Sequence, residues 1–252
     1  MESFLIVLAG FAAGVVNVVA GAGTLITFPA LLSMGIPPVV ANISSSVGLI
    51  PGSLSGVWGF RRELRPHWRT AVRLGACSGV GAALGGCLLL VLPSASFGIV
   101  VPYLLLLAAA LAALQPLISA RVKARDQGVE HASVLRRAVL PVAALLTGVY
   151  GGYFGAAQGV ILLAVLGIVW TGTLTEANGV KNVLVAVANG VSAIVFIVVG
   201  AVDWPIALLV GAGALLGGLV GARLSRWLPA VVLRTLLVIV ATVAAIVLFI
   251  TG

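Results

Sequence analysis

Acidic residues are scarce in this chain: Asp and Glu together number 6 in 252 residues, and charged residues of both signs make up 8%. No pair of carboxylates lies in the apolar stretches, so that acid–base arrangement is missing. Histidine is just as rare; His67 and His131 both fall in loops, and neither H-E-x-x-H nor G-x-S-x-G occurs. A hydrolase working inside a membrane needs a buried base beside its nucleophile, and Lys181 with one of the serines is the only conceivable dyad. The two cysteines, Cys77 and Cys87, lie ten residues apart on one predicted helix. At about 15 Å along its axis they cannot pair and are expected to be small packing residues. Polar and apolar positions do not alternate, which excludes membrane strands. Residues 1–20 lack a basic leading region, so they read as a first membrane segment and not as a cleaved signal. No metal or cofactor is expected.

Apolar residues are what the chain has. They make up 62% of it, with mean hydropathy +1.26. Apolar segments run at approximately 2–20, 24–34, 39–60, 69–92, 97–119, 138–154, 160–172, 177–200, 204–222 and 230–251. This is the balance of an all-α integral membrane protein. The net charge of +8 sits mainly in short loops between segments, which is the signature of topology; no nucleic-acid partner is expected.

Residues 120–137 form the one long polar connection, a basic linker between a first repeat (1–119) and a second (138–252). With an offset of 136 (177 minus 41), Ala41-Asn42 matches Ala177-Asn178, and Trp68 matches Trp204. Gly75, Gly81 and Gly85 likewise match Gly211, Gly217 and Gly221. At an offset of 134, Gly14 and Gly21 match Gly148 and Gly155. Such repeats recur in secondary transporters, whose sites lie where the repeats meet. Segments 2–20 with 24–34, and 138–154 with 160–172, are short for paired crossings and break at glycines, which permit a sharp reversal. If each pair is a re-entrant hairpin, each repeat adds three full crossings and the repeats are inverted. Arg61, Arg62, Arg65, Arg69, Arg73, the central linker, Arg223, Arg226 and Arg234 then share the cytoplasmic side, with Glu2 and Asp203 outside. Single spans in place of the hairpins would strand Arg223, Arg226 and Arg234 outside.

Lys181 is the basic residue set within an apolar run, 177–200. A cation centred in a membrane helix costs roughly 3 kcal/mol or more, so it faces a polar cavity or a partner, or else snorkels to the interface. At helical spacing Asn178, Lys181, Asn182 and Asn189 share roughly one face. The breaks at Gly21, Gly23 and Gly155 would leave backbone N–H groups and a positive helix end at each tip, an arrangement that suits an anion. Asn17, Thr24 and Gln158 at the tips, and Asn42, Ser44 and Ser45 in the first-repeat counterpart of the Lys181 region, add candidate donors. Those hydroxyls can also bond back to their own helix. The four-residue spacing of Gly75, Gly79 and of Gly213, Gly217, Gly221 reads instead as helix packing.

Gly21-x-Gly23 followed by Pro29, then Ala41-x-x-Ser44-Ser45, Val202-Asp203-Trp204, and Gly211 to Gly217 to Gly221-Ala222-Arg223-Leu224, resembles the TauE/SafE sulfite exporter family, also called the toluene-sulfonate uptake permease family. The resemblance covers nearly the whole chain. It implies transport of sulfur-containing anions such as sulfite, sulfonates or sulfoacetate across the inner (cytoplasmic) membrane. Ser44 stands where the family often has Thr, and the second repeat carries Asn178-x-x-Lys181-Asn182 in place of a Thr-Ser pair, which leaves the substrate open. The expected function is therefore a secondary transporter of a small anion by alternating access, with protons as a candidate coupling ion. A passive anion channel and an intramembrane enzyme are the alternatives.

Overall fold

The structure is a computed structural model that describes residues 2–125, 132–170 and 172–225, together with residues 235, 238, 239, 242, 243, 245, 246 and 249. The expected last crossing at 230–251 lies largely outside the described residues, as do His131, Arg226 and Arg234. All regular elements described are helical. Among the described residues, four helical stretches are long and apolar enough to cross a membrane: Glu2–Ala20, Arg61–Val91, Thr175–Val199 and Trp204–Leu224.

The first helix, α1 (Glu2–Ala20), ends where Gly21 turns left-handed at φ 73°, and α2 (Thr24–Ser33) starts three residues later. α3 (Pro38–Gly48) and α4 (Ile50–Gly59) divide the segment read from sequence as one run, 39–60. Pro51, which has no N–H to give, sits in the first turn of α4 and accounts for the interruption. A short α5 (Arg61–Leu64) and a 3-10 turn lead into α6 (Trp68–Val91) and α7 (Ser94–Arg125). α7 and α8 (Ala132–Tyr153) both extend into the basic stretch 120–137, so much of that linker is helical. Gly155, again at φ 73°, separates α8 from α9 (Gln158–Val169). α10 (Leu174–Val199) opens with a Thr173/Glu176 capping box and closes at left-handed Gly200. α11 (Trp204–Leu224) is capped by the Asp203 carboxylate, which accepts from the Ile206 N–H.

The two most extensive helix pairs cross between the halves: α1 packs on α11, and α6 packs on α8. Small residues make both approaches possible, as the spacing of the glycines predicts. A side chain on Gly81 or Gly85 would strike the α8 backbone at Leu145 or Val149. One on Gly213 or Gly217 would strike the α1 backbone at Val7 or Phe11. Large apolar side chains stand on the outside while many polar ones are buried with the apolar core. Val91 and Val198 are 81% and 80% exposed while Lys181 and Ser45 are 0% exposed, the distribution a lipid solvent favours.

Candidate functional site

The two breaks meet. The Gly159 N–H donates to the Gly21 carbonyl at 3.0 Å, and the two glycines touch so closely that neither could carry a side chain. Phe154, inside the second break, packs edge-on against Phe28 of α2 with ring centroids 5.3 Å apart, and Phe97 of α7 closes the cluster. This holds the tips in register.

At each tip a helix begins without a side-chain cap: α2 behind Gly23 and α9 behind Ala157. None of the backbone N–H groups of Ala22, Gly23, Thr24, Ala156, Ala157 and Gln158 makes a backbone hydrogen bond to a described residue. All six residues are buried. α10 and α11, by contrast, cap their own starts with Thr173 and Asp203. Buried uncapped amides next to a positive helix end form a cradle for negative charge.

The other ends at the breaks are capped across the halves. Lys181 of α10 donates from Nζ to the carbonyls of Asn17 (3.2 Å) and Val18 (2.8 Å), in the last turn of α1. Asn182 donates to Val18 as well, at 3.2 Å. In the other half Asn42 of α3 donates to the carbonyl of Tyr153, the last residue of α8, at 3.0 Å. Each broken helix thus ends on donors from a crossing helix of the opposite half, and the Lys181 Nζ stands at the negative end of α1. Being fully buried, Lys181 does not snorkel.

A sequence model of the family described as "Sulfite exporter TauE/SafE" matches residues 6–248. The chain belongs to the TauE/SafE family. It is 31% identical over 245 residues to "Probable membrane transporter protein ORF9" of Sinorhizobium sp, covering 97% of this chain and 90% of that one. It is 28% identical over 232 residues to a "Probable membrane transporter protein" of Haemophilus influenzae, covering 92% and 88%. With "Probable membrane transporter protein YdhB" of Bacillus subtilis it shares 26% identity over 246 residues, covering 97% and 99%. No solved structure matches it. The resemblance read from the motifs is therefore correct, and the chain is a multi-pass membrane protein of a transporter family.

Within this TauE/SafE fold most of the expected residues gather at the tips. Gly21, Gly23, Thr24, Gly155 and Gln158 form the breaks themselves, and Asn17, Lys181 and Asn182 meet on the final turns of α1. Gln158 donates to Ser78 at 3.3 Å and leaves its Oε1 without a partner among the described residues. Asn42 and Asn178 also keep buried, unpartnered Oδ1 atoms. Two serines lie elsewhere. Ser44 accepts from the Asp203 N–H at 3.0 Å, holding the start of α11, and Ser45 donates to Thr27. Ser53 and Ser78 were missed. Ser53 accepts from both Asn17 (2.9 Å) and Asn189 (3.4 Å), and Ser78 joins Gln158 to the Leu184 carbonyl. The one signal available for Ser53 is that Asn189 stands 136 residues after it (189 minus 53), the repeat offset.

Proposed function

We propose that this chain is a secondary transporter of a small oxyanion, of the sulfite or sulfonate type, bound at the two helix tips. The supporting observation is the pair of uncapped, buried amide sets at the starts of α2 and α9. An oxyanion there would exchange its hydration for fixed N–H donors, with Thr24, Gln158 and the third Nζ proton of Lys181 as further donors. Because Gly21 and Gly159 touch, a ligand shared by both tips needs the halves to part. That is what alternating access by rocking of one repeat on the other supplies. The inverted arrangement agrees with Arg223 sharing a cavity with Arg61 and Arg62. The inner membrane and a proton as coupling ion belong to the same proposal.

The test is uptake of sulfite, a sulfonate and chloride into proteoliposomes, with and without a proton gradient. Saturable sulfite or sulfonate uptake that cross-competes is expected. Non-saturable current would make the protein a channel, and turnover in detergent without a sealed compartment would make it an enzyme.

A further inference from the structure

Away from the tips, two cavities open side by side along α4 and α5, one reaching the start of α6 and the other the end of α11. One, of about 520 Å³, is a mainly apolar trough walled by Leu54, Val57, Trp58, Leu64 and Trp68, with Arg61 and Arg65 at its edge. The other, of about 440 Å³, is walled by Arg61, Arg62 and Arg223 with Trp58 and Leu219. Trp58 and Arg61 belong to both. The Arg61 guanidinium lies 4.2 Å from the Trp58 ring centroid and donates to the Trp58 carbonyl at 2.9 Å, so it is held at the boundary between the two. No carboxylate lines either cavity among the described residues.

We infer that this double cavity is a binding site for one anionic phospholipid, with its phosphate among Arg61, Arg62 and Arg223 and an acyl chain along the Leu54–Trp58 trough. Three guanidiniums attract the negative charge of a phosphodiester and offer forked donors to its oxygens. Trp58 and Trp68 are 58% and 52% exposed beside them, in the amphipathic position tryptophan takes at a membrane interface. Basic pockets between membrane helices suit anionic headgroups. A free phosphate would use the arginines but would leave the contiguous apolar trough without a role. The commitment is therefore to a lipid. Its place between α4, α5 and α11 would tie together segments contributed by the two halves.

Native mass spectrometry of the purified full chain tests this, with phosphatidylglycerol, phosphatidylcholine and glycerol phosphate as probes. The wild-type chain should retain phosphatidylglycerol over phosphatidylcholine by about tenfold, and Arg62→Gln with Arg223→Gln should weaken that retention about tenfold or more. Leu54→Gln, which leaves every charge in place, should also weaken it. Equal retention of phosphatidylcholine, or undiminished phosphatidylglycerol retention in either variant, overturns the proposal. Displacement of the lipid by glycerol phosphate as readily as by short-chain phosphatidylglycerol overturns it too, and makes the pocket a soluble-phosphate site.

Discussion

Lys181 was legible in the sequence as a cation that had to be answered inside the membrane, but what answers it was not. Its partners are the main-chain carbonyls of Asn17 and Val18, which any residue would supply and which carry no sequence signal. Lys181→Met keeps most of the stem and should both weaken anion binding about ten- to hundredfold, measured by uptake kinetics, and lower thermal stability in detergent. Normal affinity in a well-folded Lys181→Met protein would reduce the lysine to a cap on α1. Because Lys181 and Asn182 share the Val18 carbonyl, the double variant with Asn182→Leu should depart from additivity by about 0.5–3 kcal/mol. Ser53 escaped notice because serines in membrane helices so often bond back to their own turn, as Ser46 does to Asn42 at 2.8 Å. Ser53→Ala orphans the amides of Asn17 and Asn189 and should cost about 1–3 kcal/mol, against about 0.5 kcal/mol or less for Ser46→Ala, both read by thermal unfolding.

The breaks were the most legible elements. Glycine is the residue that takes a left-handed backbone without strain, and Gly21 and Gly155 both do so at φ 73°. The interruption between α3 and α4 was not read, although Pro51 stood in plain view. The apolar run continues across it, and hydropathy does not register a missing N–H. What no local pattern could reveal is that the tips touch. Gly159→Ala would drive a methyl group into Gly21 and the Ala20 carbonyl, so it should abolish transport at matched expression. Gly190→Ala, with open space around it in mid-α10, should be neutral or stabilising by about 0.5–1 kcal/mol. Equal effects of the two substitutions would remove the tip contact from the mechanism. By the same reasoning Gly23→Val, facing the Ala13 carbonyl and Asn17 Cβ at 2.8 Å each, should impair uptake more than Gly79→Val, which meets only valine methyls.

For the whole molecule, the crossing pairs α1 with α11 and α6 with α8 follow from glycine rows that the sequence displayed, but the choice of partner did not. Rows on four helices fit one another about equally well on paper. If both hairpins are re-entrant, a cysteine at Ser3 should react with an impermeant reagent from outside and one at Ser225 should not, in a background with Cys77 and Cys87 replaced. Strong external labelling at Ser225 would defeat the inverted arrangement. The cross-pairing also has a consequence for biogenesis. The ribosome makes α1 first among these helices and its main partner last, about 200 residues later (204 minus 2). At about 5–20 residues per second, α1 waits roughly ten to forty seconds with its glycine groove unfilled. During that interval the nascent chain has no native neighbour for the groove, and it becomes a client for whatever insertion factor can shelter it. The halves expressed as separate polypeptides in one cell should assemble, while the first half alone should be degraded.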